Sequence, residues 1–293
     1  MDQAQQLRNI IKAGNTTDNR PLARIITVTS GKGGVGKSNT AINLAIQFRK
    51  EGKRVIILDA DFGLANIEIM FGAVPKHNLS DLIYQGKNMK EIITWGPMEV
   101  GFISGGSGIA GLSNLGREHL NCIIKNLSEL DTIADVVIID TAAGIADAVL
   151  EFLVASGEIL LVTTPEPTSI TDSYSLLKAL SGHPRFSGQA TQVKMIANKV
   201  GSKEEGKMLY DKLNVVVSRY LQVPFSYLGA VPQDPELSKA VMRQMPVSMQ
   251  APSSRAAQAY EELAAKLLNK EAEQSVAKRG MAAFFSHMIS GKR

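Results

Sequence analysis

One short segment restricts the fold of this chain more than any other. The β-branched run Arg24–Thr29 leads into Gly-Lys-Gly-Gly-Val-Gly-Lys-Ser at positions 31–38, and an amphipathic stretch follows from Asn39 to Glu51. This arrangement fits the pattern G-x-x-x-x-G-K-[ST] between a strand and a helix. Glycines let successive backbone N–H groups turn toward one anion, and the start of the following helix adds partial positive charge. The segment therefore predicts a phosphate-binding loop in an α/β fold.

The rest of the sequence alternates β-branched runs with amphipathic stretches. The runs predict strands at Arg24–Thr29, Arg54–Leu58, Val100–Ile103, Asp135–Ile139, Ile159–Thr163, Val193–Ala197 and Tyr227–Val231. The amphipathic stretches predict helices at Lys37–Glu51, Arg117–Leu130, Ala146–Ser156, Ser169–Leu180, Glu204–Leu221 and Ser253–Asn269. Most of the strands are apolar throughout, as expected when both faces of a parallel sheet are buried. We therefore predict an α/β fold with a doubly wound, mostly parallel sheet and helices on both faces.

Composition divides the chain into three segments and restricts its surroundings. Residues 1–21 form a polar, Gln-rich arm, residues 22–269 hold the alternating pattern, and residues 270–293 form a linker and a short amphipathic element. No apolar run approaches the roughly 18 residues that span a bilayer. The single cysteine, Cys122, cannot alone form an internal disulfide or a Cys-based metal cluster. These features favour a cytoplasmic protein, and the net charge of +4 is too small to indicate nucleic-acid binding.

The loop offers ligands for both a triphosphate and a metal ion. The backbone N–H groups expected around the phosphates are those of Gly31, Lys32, Gly33, Gly34, Val35 and Gly36. The Lys37 side chain can reach the β- and γ-phosphates, and the Ser38 hydroxyl can ligate Mg²⁺. The loop therefore predicts a nucleoside triphosphate and Mg²⁺ as cofactors.

Acidic residues end two of the predicted strands. Asp59 and Asp61 follow an apolar run, so both should lie at the ligand-binding edge of a parallel sheet. Asp140 ends the run Val136–Ile139, a Walker B pattern, and should hold Mg²⁺ through a water molecule. The Thr-Ala-Ala-Gly segment that follows suits a loop that senses the γ-phosphate. These strand ends therefore predict a metal and hydrolysis site beside the phosphate loop.

The sequence Gly-Lys-Gly-Gly-Val-Gly-Lys-Ser resembles the deviant Walker A box of the MinD/ParA/nitrogenase-iron-protein family. The resemblance implies an ATP-dependent homodimer in which Lys32 crosses the interface and touches the partner's phosphates. It also implies that Asp61 orients the attacking water and that Asp59 lies near the magnesium shell. Lys32, Lys37 and Asp61 are therefore the candidate catalytic residues, with ATP and Mg²⁺ as cofactors. An electron carrier of the nitrogenase type is excluded, because Cys122 is the only cysteine.

Three more strand ends hold candidates for contacts with the nucleotide. Asn198 follows one predicted strand, and Val231, Pro232 and Gln233 follow the next. The family resemblance implies that this asparagine binds adenine and that the second loop lines the base. A plain turn is the alternative for the second loop. Glu166 follows another strand end, and its predicted role is to approach the partner's nucleotide.

The C-terminal element has one apolar face. Apolar residues recur at i, i+3, i+4, i+7 and i+8, namely Met281, Phe284, Phe285, Met288 and Ile289. Basic residues flank this element on both sides, at positions 278, 279, 292 and 293. The combination is typical of an interfacial helix that binds anionic lipids, and two copies in a dimer would bind more firmly than one. The alternative is a helix that packs on the chain's own core or on a partner.

The N-terminal sequence Asp-Gln-Ala-Gln-Gln-Leu-Arg at positions 2–8 resembles the D-Q-A-x-x-L-R activator motif of the FlhG/FleN family of flagellar number regulators. In that family the motif stimulates the GTPase activity of FlhF, a partner similar to the signal-recognition particle. The resemblance therefore implies that Gln3 activates such a partner. The segments LDADFGLANIE, DTAAGI and EPTSITDSY are also spelled as in this family.

This second resemblance implies a slow, partner-stimulated ATPase that regulates flagellar number or placement while reversibly bound to the membrane, at the cell pole. Further implied partners are flagellar C-ring switch proteins and a flagellar transcription activator. Two alternatives are a ParA-type DNA-partition or MinD-type division-site ATPase, and a nucleotide-loaded scaffold with slow turnover. The nearly balanced charge argues against a strong DNA-binding surface, so no direct nucleic-acid contact is expected. Asp61 and Asp140 argue against a mere scaffold.

Overall fold

Eight strands form one sheet in the computed structural model, which describes residues 22–61, 66–105, 124–269 and 280–289. They are β1 (Arg24–Thr29), β2 (Val55–Ala60), β3 (Thr94–Trp95), β4 (Gly101–Ser104), β5 (Val136–Thr141), β6 (Glu158–Thr163), β7 (Gln192–Val200) and β8 (Phe225–Pro232). Their order across the sheet is β3-β4-β2-β5-β1-β6-β7-β8. All neighbouring pairs are parallel except β3 and β4. The predicted mostly parallel sheet is therefore confirmed.

Helices connect these strands. They are α1 (Lys37–Lys50), α2 (Asn66–Phe71), α3 (Leu79–Tyr84), α4 (Met89–Ile92), α5 (Leu130–Ile133), α6 (Asp147–Ala155), α7 (Pro167–Ser181), α8 (Lys203–Tyr220), α9 (Pro235–Met242), α10 (Val247–Gln250), α11 (Arg255–Leu268) and α12 (Gly280–Ile289). The longer ones, α1, α6, α7, α8 and α11, agree with the sequence prediction. Residues 124–128 are helical as predicted, whereas the first part of the predicted helix 117–130 lies outside the described residues.

The sequence did not predict β3 or the short helices α2, α3, α4, α9 and α10. A two-residue strand has no alternation to detect, and helices of four to eight residues are shorter than the window in which a helical period is visible. Local capping explains two of them. Asn78 and Asn88 each begin a helix with a reciprocal capping box, formed with Asp81 and Glu91 respectively.

Both faces of the sheet are buried, which explains why the strands are apolar throughout. In β1, Ile26 packs with α1 and α11 on one face, while Ile25 packs with α12 on the other. Helices α6, α7 and α8 cover the rest of that second face. The connecting loops therefore lie at the two ends of the strands. We call the carboxyl ends of β1, β2 and β5 the phosphate edge, and their amino ends the basal edge.

The C-terminal helix differs from its predicted role as an exposed lipid-binding element. Met281, Phe284, Phe285 and Met288 are all less than 10% exposed and belong to the core beneath β1 and β5. The Phe284 ring lies 6.1 Å from that of Phe152 on α6. The alternative interpretation, a helix packed on the chain's own core, is therefore correct for this structure. Packing against the core removes the apolar face of the helix from water, which is favourable.

Polar groups hold both ends of α12. Asp131 accepts hydrogen bonds from the backbone N–H of Met281 at 3.0 and 3.1 Å, and Arg185 donates to the carbonyl oxygen of His287. The Asp131 carboxylate also accepts from the N–H of Ala23 at 3.3 Å, so it ties together the first strand and the last helix.

Among the described residues, none of the helices has both the length and the apolar content that crossing a bilayer requires.

Candidate nucleotide-binding site

The loop at positions 31–38 joins β1 to α1 at the phosphate edge, as predicted. Gly34 and Gly36 have φ angles of 76° and 98°, in the left-handed region that favours glycine. Gly31 has a different constraint, because a Cβ there would lie 2.2 Å from the backbone of Asp172 on α7. Helix α1 begins without a side-chain cap, so its first N–H groups are free to bind an anion. The Lys37 side chain is 7% exposed and therefore largely enclosed at this helix start.

Two predicted metal-site carboxylates are direct neighbours across the sheet. Asp59 is the last residue but one of β2, Asp140 is the last but one of β5, and the two residues are paired in register. Asp140 is fully buried, and neither of its carboxylate oxygens has a hydrogen-bond partner among the described residues. Burial, and secondly the charge of Asp140, raises the pKa of Asp59 to about 8. Burial also raises the pKa of Asp140 to about 6, against the opposing effects of Ser38 and Lys37.

This carboxylate pair fits a divalent cation. Two adjacent buried acids repel one another, and a dication would satisfy both the charge and the unpartnered oxygens. Within the described ranges, no three or more His, Cys, Asp or Glu side chains are grouped so that they could hold a metal. A metal ion at this edge therefore requires other oxygens, which the Ser38 hydroxyl and the phosphates of a nucleotide can supply.

Asp61, the predicted water-orienting residue, lies two residues beyond Asp59 and is partly buried. Its backbone N–H donates to Asp59 Oδ1 at 3.0 Å, and Asn66 Nδ2 donates to Asp61 Oδ2 at 3.3 Å. Asn66 is a positioning residue that sequence reasoning did not identify. The residues between them, 62–65, lie outside the described part of the chain.

Lys32 reaches back to its own chain in this structure. Its Nζ donates to Glu166 Oε2 at 2.6 Å and to Thr168 Oγ1 at 2.8 Å. The hydrogen bond from Lys32 lowers the pKa of Glu166. Glu166 was predicted to approach a partner's nucleotide, and it is the counter-ion of Lys32 here. The hydroxyl of Thr168 is a second polar contact that the sequence did not suggest, although it belongs to the same Pro-Glu-Pro-Thr turn.

Asn198, the predicted adenine ligand, is 1% exposed and lies against the phosphate loop. Its Nδ2 donates to the Val35 carbonyl at 2.7 Å, while its Oδ1 is buried and has no hydrogen-bond partner within the described ranges. A free acceptor in this place matches the exocyclic amino group of adenine. Lys199, which has a φ of 58°, donates from Nζ to the Gly34 carbonyl at 2.8 Å. Sequence reasoning missed this lysine, although it directly follows the asparagine.

The predicted base loop also lies at this edge, since Val231 is the register partner of Asn198. Val231 is buried, Pro232 is partly buried and Gln233 is exposed. The Gln233 carbonyl accepts from Arg255 Nη2 at 3.2 Å. Asp234, the next residue, caps α9 by accepting from Glu236 N and also accepts from Ala256 N, both at 2.9 Å. Asp234 therefore fixes the loop, which leaves residues 231–233 beside the candidate base site.

The remaining predicted site residues are Gln3 and the five apolar residues of the C-terminal element. Gln3 lies outside the described residues, and the five apolar residues predicted for lipid belong to α12. The structure thus brings the loop at positions 31–38, the three aspartates, Glu166, Asn198 and residues 231–233 to the phosphate edge. The predicted membrane element, α12, packs elsewhere, in the core beneath β1 and β5.

Comparison with known proteins agrees with this geometry. The family described as ParA, NUBPL iron-transfer P-loop NTPase, matches residues 21–268. The antiactivator FleN of Pseudomonas aeruginosa is 39% identical over 244 residues, which cover 83% of this chain and 86% of that protein. The flagellum site-determining protein YlxH of Helicobacter pylori is 32% identical over 295 aligned residues, covering 98% of each protein.

Solved structures share the fold. The septum site-determining protein MinD of Pyrococcus horikoshii OT3, solved with Mg-ADP, has a TM-score of 0.66 at 23% identity and covers 87% of this chain and 99% of that one. A putative plasmid partition protein of Borrelia burgdorferi B31, bound to AMPPNP, has a TM-score of 0.64 at 20% identity and covers 85% and 99% of the two chains. The family match over most of the chain, together with the two flagellar relatives above 30% identity, shows that this chain belongs to the ParA/MinD family of P-loop NTPases.

Proposed function

We propose that this chain is an ATP-binding and ATP-hydrolysing switch that dimerises around its nucleotides and regulates the number or placement of flagella. The observation that carries the proposal is the buried pair Asp59 and Asp140 beside the phosphate loop: the carboxylate oxygens of Asp140 have no hydrogen-bond partner among the described residues, and the charge of Lys37 offsets only part of the effect of burial. Such a pair is unfavourable unless a cation completes the site. The flagellar part of the proposal is supported by the names of the relatives FleN and YlxH.

The loop residues would hold the phosphates of ATP, and Ser38, Asp59 and Asp140 would hold Mg²⁺. When bound, the metal neutralises phosphate charge and makes the γ-phosphorus easier for water to attack. Asp61, oriented by Asn66, would position that water. The structure of the Pyrococcus horikoshii relative with Mg-ADP supports this choice of cofactors.

Asn198 and the neighbouring loop would select the base. The free Oδ1 of Asn198 would accept a hydrogen bond from the adenine amino group, whereas a guanine would present a carbonyl oxygen there and leave Oδ1 unpaired. Asn198→Ala removes this acceptor and should therefore weaken ATP binding without abolishing the fold. Titration of ATP against GTP for both proteins measures the change in preference.

Dimerisation would exchange the partners of Lys32. In this structure its ammonium group is neutralised by Glu166, and its side chain is 36% exposed. A second copy approaching the phosphate edge would offer triphosphate oxygens, which carry more negative charge than one carboxylate. The Lys32–Glu166 contact is an exposed ion pair, and solvent screening makes pairs of that kind contribute little to stability. It can therefore be given up when the two nucleotide sites meet.

Sedimentation tests this exchange directly. Wild-type protein should sediment as a dimer with ATP and Mg²⁺ and as a monomer with ADP. Lys32→Ala should bind ATP and stay monomeric, while Asp61→Ala should accumulate as an ATP-bound dimer. Thr168→Ala is the matched control, because it removes the other contact of Lys32 without removing charge. A wild-type chain that stays monomeric when saturated with a non-hydrolysable analogue would contradict the proposal.

Membrane binding would require α12 to leave the core. Its buried aromatic face and its basic flanks suit an anionic lipid surface, but only one of the two environments can cover that face at a time. The supports at its two ends, Asp131 and Arg185, are polar contacts that water can replace. Release of α12, coupled to the ATP-bound dimer, would thus make membrane binding depend on nucleotide.

Liposome co-pelleting tests this step. We expect pelleting with anionic vesicles in the presence of ATP, little pelleting with ADP, and none for a chain that lacks residues 281–293. Phe284→Ser should reduce pelleting under every condition. Persistent pelleting of the truncated chain would assign the lipid contact to another surface.

The proposed partners are an FlhF-type GTPase, flagellar C-ring switch proteins and a flagellar transcription activator. Gln3→Ala should abolish stimulation of the GTPase and leave ATP binding unchanged, with Gln6→Ala as the matched control at a variable position of the motif. In cells whose only copy carries Asp61→Ala, counts of flagella by electron microscopy should differ from wild type. Unchanged counts would remove the flagellar assignment but leave the ATP switch intact.

A further inference from the structure

A pocket of about 490 Å³ opens at the basal edge, on the side of the sheet away from the phosphate loop. The amino end of β2 forms its floor with Val55 and Ile56, which are both 1% exposed. Trp95 of the edge strand β3 and Ile133 of α5 form two of its walls. Arg49, Arg54 and Glu99 complete the lining, so the pocket is an apolar depression bordered by charged side chains, and none of the proposed nucleotide contacts uses it.

The indole of Trp95 is presented in this pocket rather than buried. It belongs to the only tryptophan of the chain, and the residue is 57% exposed. Its ring lies over Gly101, where a Cβ would stand 3.2 Å from ring atom Cζ3. One face of the ring thus packs against Gly101, while the other face is exposed to solvent. A large apolar surface presented in a depression favours a covering apolar group.

The rim of the pocket is strained. Met98 and Glu99 have φ angles of 53° and 56°, a conformation that residues other than glycine rarely adopt. Arg49 maintains it, donating from Nε to the Met98 carbonyl at 2.9 Å and from Nη2 to Glu99 Oε2 at 2.8 Å. Backbone strain that the surroundings maintain in this way is concentrated at binding sites. The rim is therefore a second, independent sign of an occupant.

The described part of the chain begins at residue 22, close to this pocket, and the N-terminal segment 1–21 joins it there. Ala23 is bonded to Asp131 in α5, the same short helix that contributes Ile133 to the pocket wall. On the other side of that helix, Arg54 of the pocket donates to the Thr132 carbonyl at 2.8 Å. Only β5 separates β1 from β2, so the pocket lies about 10 Å, two strand spacings, from the start of β1. Ten residues of random-coil dimensions span roughly 17 Å, so residue 11 is within reach of the pocket.

We propose that Leu7, Ile10 and Ile11 occupy the Trp95 pocket of their own chain. The spacing i, i+3, i+4 puts the three side chains on one face of a helical turn, and they are the large apolar residues of the segment apart from Met1. Docking would cover both the indole and that face. It would also hold Gln3 near the domain, so the activator motif would be accessible only when the segment leaves. This last consequence rests on the proposed partner role of Gln3.

Trp95 provides the test, because it is the only tryptophan and therefore the only source of indole fluorescence. We compare the full chain with the double variant Ile10→Asp, Ile11→Asp, without nucleotide or partner. The variant should emit at longer wavelength, and acrylamide should quench it about twofold more effectively, because an uncovered indole exposes more than half of its area. Thr16→Asp, Thr17→Asp adds the same charge to the polar part of the segment and should leave both values at those of wild type.

Two results would overturn the proposal. One is equal emission and quenching in wild type and in the Ile10, Ile11 variant. The other is protection of Trp95 that disappears on dilution, which would assign the pocket to a second copy of the chain. ADP binding by both variants, measured in parallel, shows that the domain is folded. Neither the ATP switch nor a partner enters these measurements, so failure here is distinct from failure of the proposed function.

Discussion

Strand β5 has a carboxylate next to each of its ends, and the two behave in opposite ways. Asp135, just before the strand at the basal edge, accepts hydrogen bonds from Arg54, and this lowers its pKa. Asp140, at the phosphate edge, is fully buried, its oxygens have no hydrogen-bond partner in the described part of the chain, and burial raises its pKa to about 6. The same strand therefore begins at a completed ion pair and ends at an incomplete one.

The neighbouring strands extend this comparison between the two edges. At the basal edge, Glu158 is completely buried, with Arg24 on both carboxylate oxygens at 2.8 and 2.9 Å and Lys194 at 2.7 Å. At the phosphate edge, Asp59 is as inaccessible and has another acid as its register partner. Buried charge is tolerated where the chain itself supplies the counter-charge. Where the chain does not supply enough of it, we expect a ligand to provide the counter-charge, so the contrast predicts which carboxylates are structural and which bind a ligand.

The largest loss of stability is expected when the buried pair of Glu158 and Arg24 is broken. Glu158→Gln keeps the shape of the side chain but leaves Arg24, which is 3% exposed, without an anion. Breaking a buried pair in this way costs about 3–5 kcal/mol in the free energy of unfolding. Urea denaturation measures the loss. Asp135→Asn is the matched control, because its partner Arg54 is 52% exposed and such a pair contributes less than about 1 kcal/mol. Equal losses for the two variants would remove the distinction.

The pair Asp59 and Asp140 should make the free energy of unfolding fall as pH rises, whereas the paired Asp135 should make it rise. The pKa of Asp59 is raised from 3.8 to about 8, so between these values the native state binds more protons than the unfolded state. The free energy of unfolding of the nucleotide-free protein should then fall as pH rises from about 4 to 8, by an amount on the order of 5 kcal/mol. Asp59→Asn should remove most of this fall, as measured by urea denaturation at several pH values.

Asp135 reverses the sign and serves as the comparison. Its pKa is lowered, so its contribution is present above its unfolded pKa and is lost as pH falls. Asp135→Asn should therefore lose stability at neutral pH and approach wild type in acid. A stability curve of Asp59→Asn that parallels wild type from pH 4 to 8 would show that Asp59 does not carry unfavourable charge.

A smaller effect is expected on turnover. If Asp140 holds Mg²⁺ through a water molecule, Asp140→Asn should lower the ATPase kcat roughly 10–100-fold, the usual cost of losing an outer-shell ligand. The nucleotide-free variant should be at least as stable as wild type, because a buried charge has been removed. Measuring kcat across Mg²⁺ concentrations, with thermal unfolding alongside, separates the two effects. Loss of stability in this variant would place Asp140 with the structural carboxylates.

Much of the phosphate edge could be predicted from sequence, and the reason is physical. A strand, a glycine-rich loop and a helix form a continuous local unit, so the loop with Lys37 and Ser38 follows from local order. Asp59, Asp140 and Asn198 follow because parallel strands bring their carboxyl ends to one edge. The parallel sheet could also be predicted, because strands that are buried on both faces are apolar throughout. The comparisons confirm the family and the fold that these patterns predict.

The rest depends on contacts between distant parts of the chain. The sequence spacing does not reveal that Lys32 pairs with Glu166, that Asn66 holds Asp61, or that Lys199 bonds the loop. The amphipathic period of α12 is equally compatible with a lipid surface and with a protein core. Only the apolar area available beneath β1 and β5 decides between them.

Asp131 sharpens the comparison, because it is an intermediate case with the smallest expected effect. Burial raises its pKa, and its hydrogen bonds come from two backbone N–H groups, of Ala23 and Met281, rather than from a cation. Asp131→Ala removes a cap from α12, which costs about 1 kcal/mol and would raise the released fraction about fivefold. Pelleting with anionic liposomes in ADP should therefore rise by a similar factor, while Asp135→Ala, which leaves α12 untouched, should not change it. An unchanged value for Asp131→Ala would mean that burial of the aromatic face alone retains the helix, and that the carboxylate only fixes the first strand.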